Sequence, residues 1–164
     1  DNTYEIQIRT IFSEGWHEVE HDLRYKCKED WDGCESHSRV LNGVIATLET
    51  AEWNLKSLFD QMARVNFMNK NYRAMLRNKM RLRIKGEDMS TNIQEYLIQH
   101  PHVAESILNT DRFIVILTML NHQKPIELTY DNLLYLINRI EMKDHGLSEM
   151  EPENTRKMLD VFFA

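Results

Sequence analysis

The 164-residue chain has little that would interrupt a helix: 5 glycines and 3 prolines. Inside a helix these residues cost roughly 1 and 3 kcal/mol relative to alanine, so their scarcity predicts long helices over a chain broken by turns. Cysteine is also rare. Cys27 and Cys34 are too few for a disulfide framework and read as reduced thiols of a cytoplasmic protein. No stretch approaches 18 consecutive apolar residues, which argues against a membrane-spanning helix. No secretory-signal pattern opens the chain. The chain starts at Asp1 without an initiator methionine, so further sequence is expected upstream.

What is present fits an ordinary globular domain, or one domain plus an appendage. Hydrophobic residues make up 42% and charged residues 28% of the chain. Nine methionines suit irregular gaps between helices. The net charge of -6 is unevenly spread. Residues 1–85 hold 14 Lys/Arg against 13 Asp/Glu, and residues 86–164 hold 6 against 13. This step suggests a sub-boundary near residue 86.

Residues 4–10 alternate strictly, with Tyr4, Ile6 and Ile8 on one face and Glu5, Gln7 and Arg9 on the other. That spacing predicts a strand with one buried face. The rest reads as helix. Ser13 offers an N-cap to a helix over 14–26, and a polar loop with Gly33 follows at 28–36. From 38 to 68 apolar residues recur at helical spacing, from Val40/Leu41 to Met62 and Val65. That helix would exceed about 40 Å, which suits a bundle or a subunit interface. A basic helix is expected over 70–85, and shorter ones near 91–99, 101–109, 111–121, 130–142 and 153–163. Thr110/Asp111, Thr129 and Pro152 supply start signals.

Three patterns carry chemistry. His17-Glu18-Val19-Glu20-His21 matches H-E-x-x-H, the helix of zinc hydrolases. No third ligand follows in that family's spacing, so this reading is a remote alternative. Cys27, Cys34 and His37 have C-x6-C-x2-H spacing, which is not a zinc knuckle. Residues 70–85 carry seven basic side chains and no acidic one, with Lys70, Arg73, Arg77 and Arg81 on one helical stripe. Such a stripe can bind RNA or phosphate; the plainer alternative is a solvated face that pairs with the acidic C-terminal half.

Residues 5–26 read Glu-Ile-Gln-Ile-Arg-Thr, then a helix with Trp16 and the Glu20-His21 pair, then Tyr25-Lys26. This stretch resembles the end of the synthetase domain of the RelA/SpoT family, over 22 of the 164 residues. The resemblance implies a mainly α chain. One N-terminal strand would end a nucleotidyltransferase-like α/β synthetase domain at 1–36, and a helical bundle extension would occupy 37–164. It also implies transfer of pyrophosphate from ATP to the 3′-hydroxyl of GDP or GTP, assisted by magnesium. Positioning and charge neutralisation dominate such chemistry. By resemblance Glu5 is the catalytic carboxylate that binds magnesium, a hard ion that prefers oxygen. Gln7 contacts the acceptor nucleotide. Glu14 and Glu20 fall on the guanine side, His21 closes the pattern, and Lys26 can neutralise phosphate. Relatives often carry Asn at the position of Glu14, so the sequence departs there. The family's Gly-containing loop and first metal-binding Asp would lie upstream, so this segment alone is expected to be inactive. Residues 38–164 show no such resemblance. A helical module binding protein or RNA, or a homo-oligomer joined through the 38–68 helix, is the alternative role for them.

Overall fold

The computed structural model describes residues 11–86, 88–122 and 126–164, with side chains from Glu14 onward. Among the described residues every regular element is helical, as the sequence predicts, and none is a strand. The expected strand at 4–10, and with it Glu5 and Gln7, lies outside the described residues. Two compact units are present. One runs up to Leu58 and the other spans Phe59–Ala164.

In the first unit, α1 (Ile11–Glu18) runs directly into a π-helical turn, Val19–Tyr25. The Lys26 N–H closes that turn on the His21 carbonyl at 3.0 Å, a five-residue step in place of the usual four. Helix is already present at Ile11, so Ser13 lies inside it and is not the expected N-cap. The segment expected as a polar loop contains a single 3₁₀ turn, Lys28–Trp31. Gly33 follows at φ +77°, a left-handed conformation that glycine adopts without strain. The long helix α2 then spans Glu35–Met68, 34 residues or about 51 Å. Between Glu14 and Leu58 no side chain is buried.

The second unit has a dense core. α3 (Tyr72–Met80), α4 (Thr91–Gln99) and α5 (Pro101–Asn109) pack on one another and contribute Met75, Leu76, Met80, Ile93, Leu97 and Ile107. At the centre lies α7 (Tyr130–Ile137), with Leu133, Leu134, Tyr135, Leu136 and Ile137 all buried. A helix apolar on nearly every side must sit inside a core. Ala63 of α2 and Phe162 of α9 (Glu153–Phe163) join the same cluster. α6 (Arg112–Asn121) buries only Val115, and leaves Phe113, Leu117 and Leu120 exposed.

Several starts follow the sequence signals. Asp111 Oδ1 accepts from the Phe113 N–H at 2.8 Å, and Thr129 Oγ1 from the Asn132 N–H at 3.1 Å. Pro101 occupies the first turn of α5, where its missing N–H costs nothing. One expectation needs correction. The basic helix expected over 70–85 ends at Met80. Arg81 takes a left-handed conformation (φ 52°), its N–H bonds the Arg77 carbonyl, and residues 82–85 run without helix. The Arg112 guanidinium donates Nε–H to the Met80 carbonyl at 2.6 Å, satisfying that helix end. The helix expected over 130–142 is helical throughout, its last turn a π turn at Asn138–Met142 closed by Lys143 N–H on Asn138 C=O. A six-residue helix, α8 (His145–Met150), had no signal in the periodicity. Asp144 caps it by accepting from the Leu147 N–H at 2.9 Å.

Candidate functional site

The described part of the 5–26 motif lies on α1 and the π turn. α1 brings His17 to the start of a column of rings: His17 stacks on His21 at 5.3 Å, and His21 on Tyr25 at 5.9 Å. Spacing of four residues puts all three on one side of the helix. The Tyr25 ring also carries the Lys28 ammonium 4.5 Å from its centroid. Trp31 Nε1 donates to the Leu23 carbonyl at 2.7 Å, tying the 3₁₀ turn to the π turn. Arg24 reaches α2, donating from Nη1 to Asn42 Oδ1 at 2.7 Å.

Two carboxylates organise the polar groups. Asp22 Oδ1 takes Lys26 Nζ at 2.6 Å and meets His21 Nδ1 at 2.9 Å. The hydrogen bond from Lys26, then that from His21, holds the Asp22 carboxyl below its ordinary value. The bond to Asp22 in turn raises the Lys26 ammonium. Both Lys26 and Asp22 remain well exposed, so a second anion can approach Lys26 from solvent. Glu20 pairs through Oε1 with Arg24 Nε at 3.1 Å. Its other oxygen, Oε2, is buried and accepts no hydrogen bond among the described residues. A buried carboxylate oxygen without a donor costs stability.

Of the residues singled out by sequence, His21 and Lys26 come together through Asp22. Glu20 stands on the same turn, paired with Arg24, and Glu14 is exposed on α1. Asp22 and Arg24 were not among the sequence candidates, although Asp22–Lys26 and Glu20–Arg24 both have the i, i+4 spacing of helical ion pairs. The H-E-x-x-H pair does not converge with a third ligand: among the described residues no three His, Cys, Asp or Glu side chains are grouped to hold a metal ion. Cys27 and Cys34 are partly buried thiols, and Cys27 Sγ lies 3.4 Å from the Asp22 carbonyl.

Three of the seven basic side chains of residues 70–85 are paired within the second unit. Arg73 pairs with Asp88, Arg81 with Asp60 at 2.9 Å, and Lys85 with Glu127. An open cleft of about 390 Å³ lies in this unit between Asn138, Arg139, Lys143, Ser148 and Phe163. Its Arg139 is already engaged by Glu151 and Asp160. No helix of the described residues is long and apolar enough to cross a membrane.

No protein-family model, curated protein or solved structure matches the chain.

Proposed function

We propose that this chain is the distal part of a cytoplasmic alarmone synthetase of the RelA/SpoT type, followed by a helical extension. In the intact protein, pyrophosphate would pass from ATP to the 3′-hydroxyl of GDP or GTP. The observation that carries this reading is the ordered run Glu5, Gln7, Trp16, Glu20, His21, Tyr25 and Lys26, which keeps the family's spacing over 22 residues. The local geometry of the π turn supports it. A guanine edge presents two N–H donors, and the part-exposed Glu20 carboxylate is a hydrogen-bond acceptor on that turn. The Glu20–Arg24 pair fixes the carboxylate in place. Lys26 stands exposed at the end of the same turn, where it can meet a phosphate oxygen.

Magnesium is assigned to Glu5 by resemblance alone, and Glu5 lies outside the described residues. When bound it would neutralise phosphate charge. RNA binding by residues 70–85 has weaker support, because the continuous helix that would align the basic side chains stops at Met80 and three of those side chains pair with carboxylates.

The test is steady-state pyrophosphate transfer by the full-length protein with ATP and each guanosine nucleotide. Glu20→Gln replaces an acceptor oxygen with an N–H donor facing the acceptor base. It is expected to raise the acceptor KM about 10-fold or more while leaving the ATP KM unchanged. An unchanged acceptor KM in a folded variant removes Glu20 from the site.

A further inference from the structure

The cleft of about 390 Å³ in the second unit is lined by Asn138, Arg139, Lys143, Ser148 and Phe163. Pockets of roughly 300–1,000 Å³ hold small molecules. Most of its lining is fixed by bonds inside the chain. The buried Asn138 amide donates to the Asp144 carbonyl at 3.0 Å and to Ser148 Oγ at 3.1 Å, and its Oδ1 accepts the Asp144 N–H at 2.7 Å. Arg139 is held by Glu151 and Asp160. Phe163 meets Phe162 edge-on at 5.1 Å and His122 at 5.6 Å, yet stays 40% exposed. Lys143 differs from these. Its side chain is exposed and has no carboxylate partner among the described residues. Its backbone is left-handed, at φ 52°, a conformation that favours glycine or asparagine. Closing the π turn takes only its N–H, which bonds the Asn138 carbonyl at 2.8 Å. π turns of this kind are rare and occur disproportionately at functional sites.

We propose that this cleft binds a small aromatic carboxylate, with Lys143 on the carboxylate and Phe163 on the ring. Charge selects the anion. Residues 86–164 hold only 6 Lys/Arg against 13 Asp/Glu, yet Arg139, Lys143 and Arg156 gather here. Arg156 donates to the Ser148 carbonyl at 3.2 Å and lies 4.0 Å from Glu151. Facing these three cations are two carboxylates, Glu151 and Asp160. One positive charge is left over among these side chains, and it stands on Lys143. A carboxylate matches a single charge, whereas a phosphate monoester carries about two negative charges at neutral pH. The exposed Phe163 ring selects the rest of the ligand, because a second flat ring can stack on it or meet its edge. Volume sets the size: the cleft lies near the lower end of the range for small-molecule pockets, which suits one or two rings. The inference rests on the second unit alone and is independent of the synthetase reading.

The experiment is isothermal titration calorimetry on the whole chain at low salt, with indole-3-acetate as the probe. One site per chain is expected, with a Kd below about 1 mM. Benzamidine keeps a ring and reverses the charge, and is expected not to bind. Inorganic phosphate and AMP are each expected to bind about 10-fold more weakly than indole-3-acetate, or less. Lys143→Asn removes the ammonium and suits the left-handed backbone, so the π turn is kept. It is expected to weaken indole-3-acetate binding about 10-fold, the worth of a hydrogen bond to a charged group. Phe163→Leu keeps apolar bulk without the flat face, and is expected to cost about 3-fold or more. Circular dichroism checks that both variants fold. Absence of indole-3-acetate binding up to about 10 mM overturns the proposal. So does unchanged affinity in either folded variant, or binding of benzamidine, phosphate or AMP as tight as that of indole-3-acetate.

Discussion

Gly146→Ala puts helix propensity and packing in opposition. Gly146 lies in α8, where alanine should gain up to about 1 kcal/mol by propensity. Yet a Cβ there would stand 2.1 Å from the Tyr96 hydroxyl oxygen and 2.6 Å from its Cζ. The ring cannot swing away without loss. Tyr96 stacks on His100 at 4.2 Å and donates its hydroxyl to Asp144 Oδ1 at 2.7 Å. That same Asp144 caps α8 and is held by Asn138, whose Oδ1 accepts the Asp144 N–H at 2.7 Å. Breaking a hydrogen bond to a carboxylate costs about 1.5–3 kcal/mol. The partial exposure of Tyr96 favours the lower end of that range, and the propensity gain offsets part of it. The net expectation is destabilisation by about 1 kcal/mol, or a Tm lower by about 2–4 °C for a chain of this size. Urea unfolding followed by circular dichroism measures it. In a Tyr96→Ala background the obstacle is gone, and the same Gly146→Ala change should be neutral or stabilising. A second readout is proton affinity. Burial, followed by the bond to Asp144, raises the Tyr96 hydroxyl to about 12. Displacing the ring should return it toward the ordinary value near 10. If Gly146→Ala stabilises the unmodified chain, the close approach of Tyr96 to α8 is wrong.

Two further outcomes are expected. Arg139 serves the buried Glu151 at 2.9 Å together with Asp160, so Arg139→Ala leaves that carboxylate only the more distant Arg156 at 4.0 Å and should cost about 2–4 kcal/mol. Arg139→Lys should recover less than half of that, because one ammonium cannot reproduce the fork; a loss under 0.5 kcal/mol (roughly the level of an exposed pair) in Arg139→Ala would show that the network contributes nothing. Alkaline pH should also unfold the second unit: burial, then the charges of Asp131 and Glu151, raise Tyr135 to about 12. Its folded value lies above its unfolded one, so its contribution is complete below about pH 10 and is lost as pH rises toward 12. Tyr135→Phe should flatten that fall, which tyrosinate absorbance and circular dichroism will follow; an identical alkaline midpoint in the variant would contradict it.

Much of the helical layout could be read from the residues because the caps are local chemistry. Asp111, Thr129 and Pro152 act within one turn of where they stand, and α5, α6, α7 and α9 begin where their sequences say. The end of α3 was not legible. No glycine marks it, and the left-handed conformation of Arg81 depends on Asp60 and on Arg112, which bonds the Met80 carbonyl. α8 is too short for a period to show, and its existence rests on Asp144, tied to residues up to 48 positions away. The π turns were equally hidden, since one extra residue per turn leaves the apolar pattern nearly intact. In the candidate site the Asp22–Lys26 and Glu20–Arg24 pairs were legible by spacing. The burial of one Glu20 oxygen was not, because burial depends on neighbours that local spacing does not specify.

The measurement that tests the proposed activity most directly is product formation by the full-length protein and its Glu5→Gln variant, supplied with ATP, magnesium and GDP or GTP. Glu5 and Gln7 are two residues apart, so as a strand they would face the same side. Loss of the Glu5 charge should lower turnover on the order of 10²-fold or more. Gln7→Ala should act mainly on acceptor binding. The account requires ATP-dependent pyrophosphate transfer by the unmodified protein and its loss in Glu5→Gln with the fold intact. Full turnover in Glu5→Gln, or no product from the unmodified protein with any guanosine nucleotide, would contradict it.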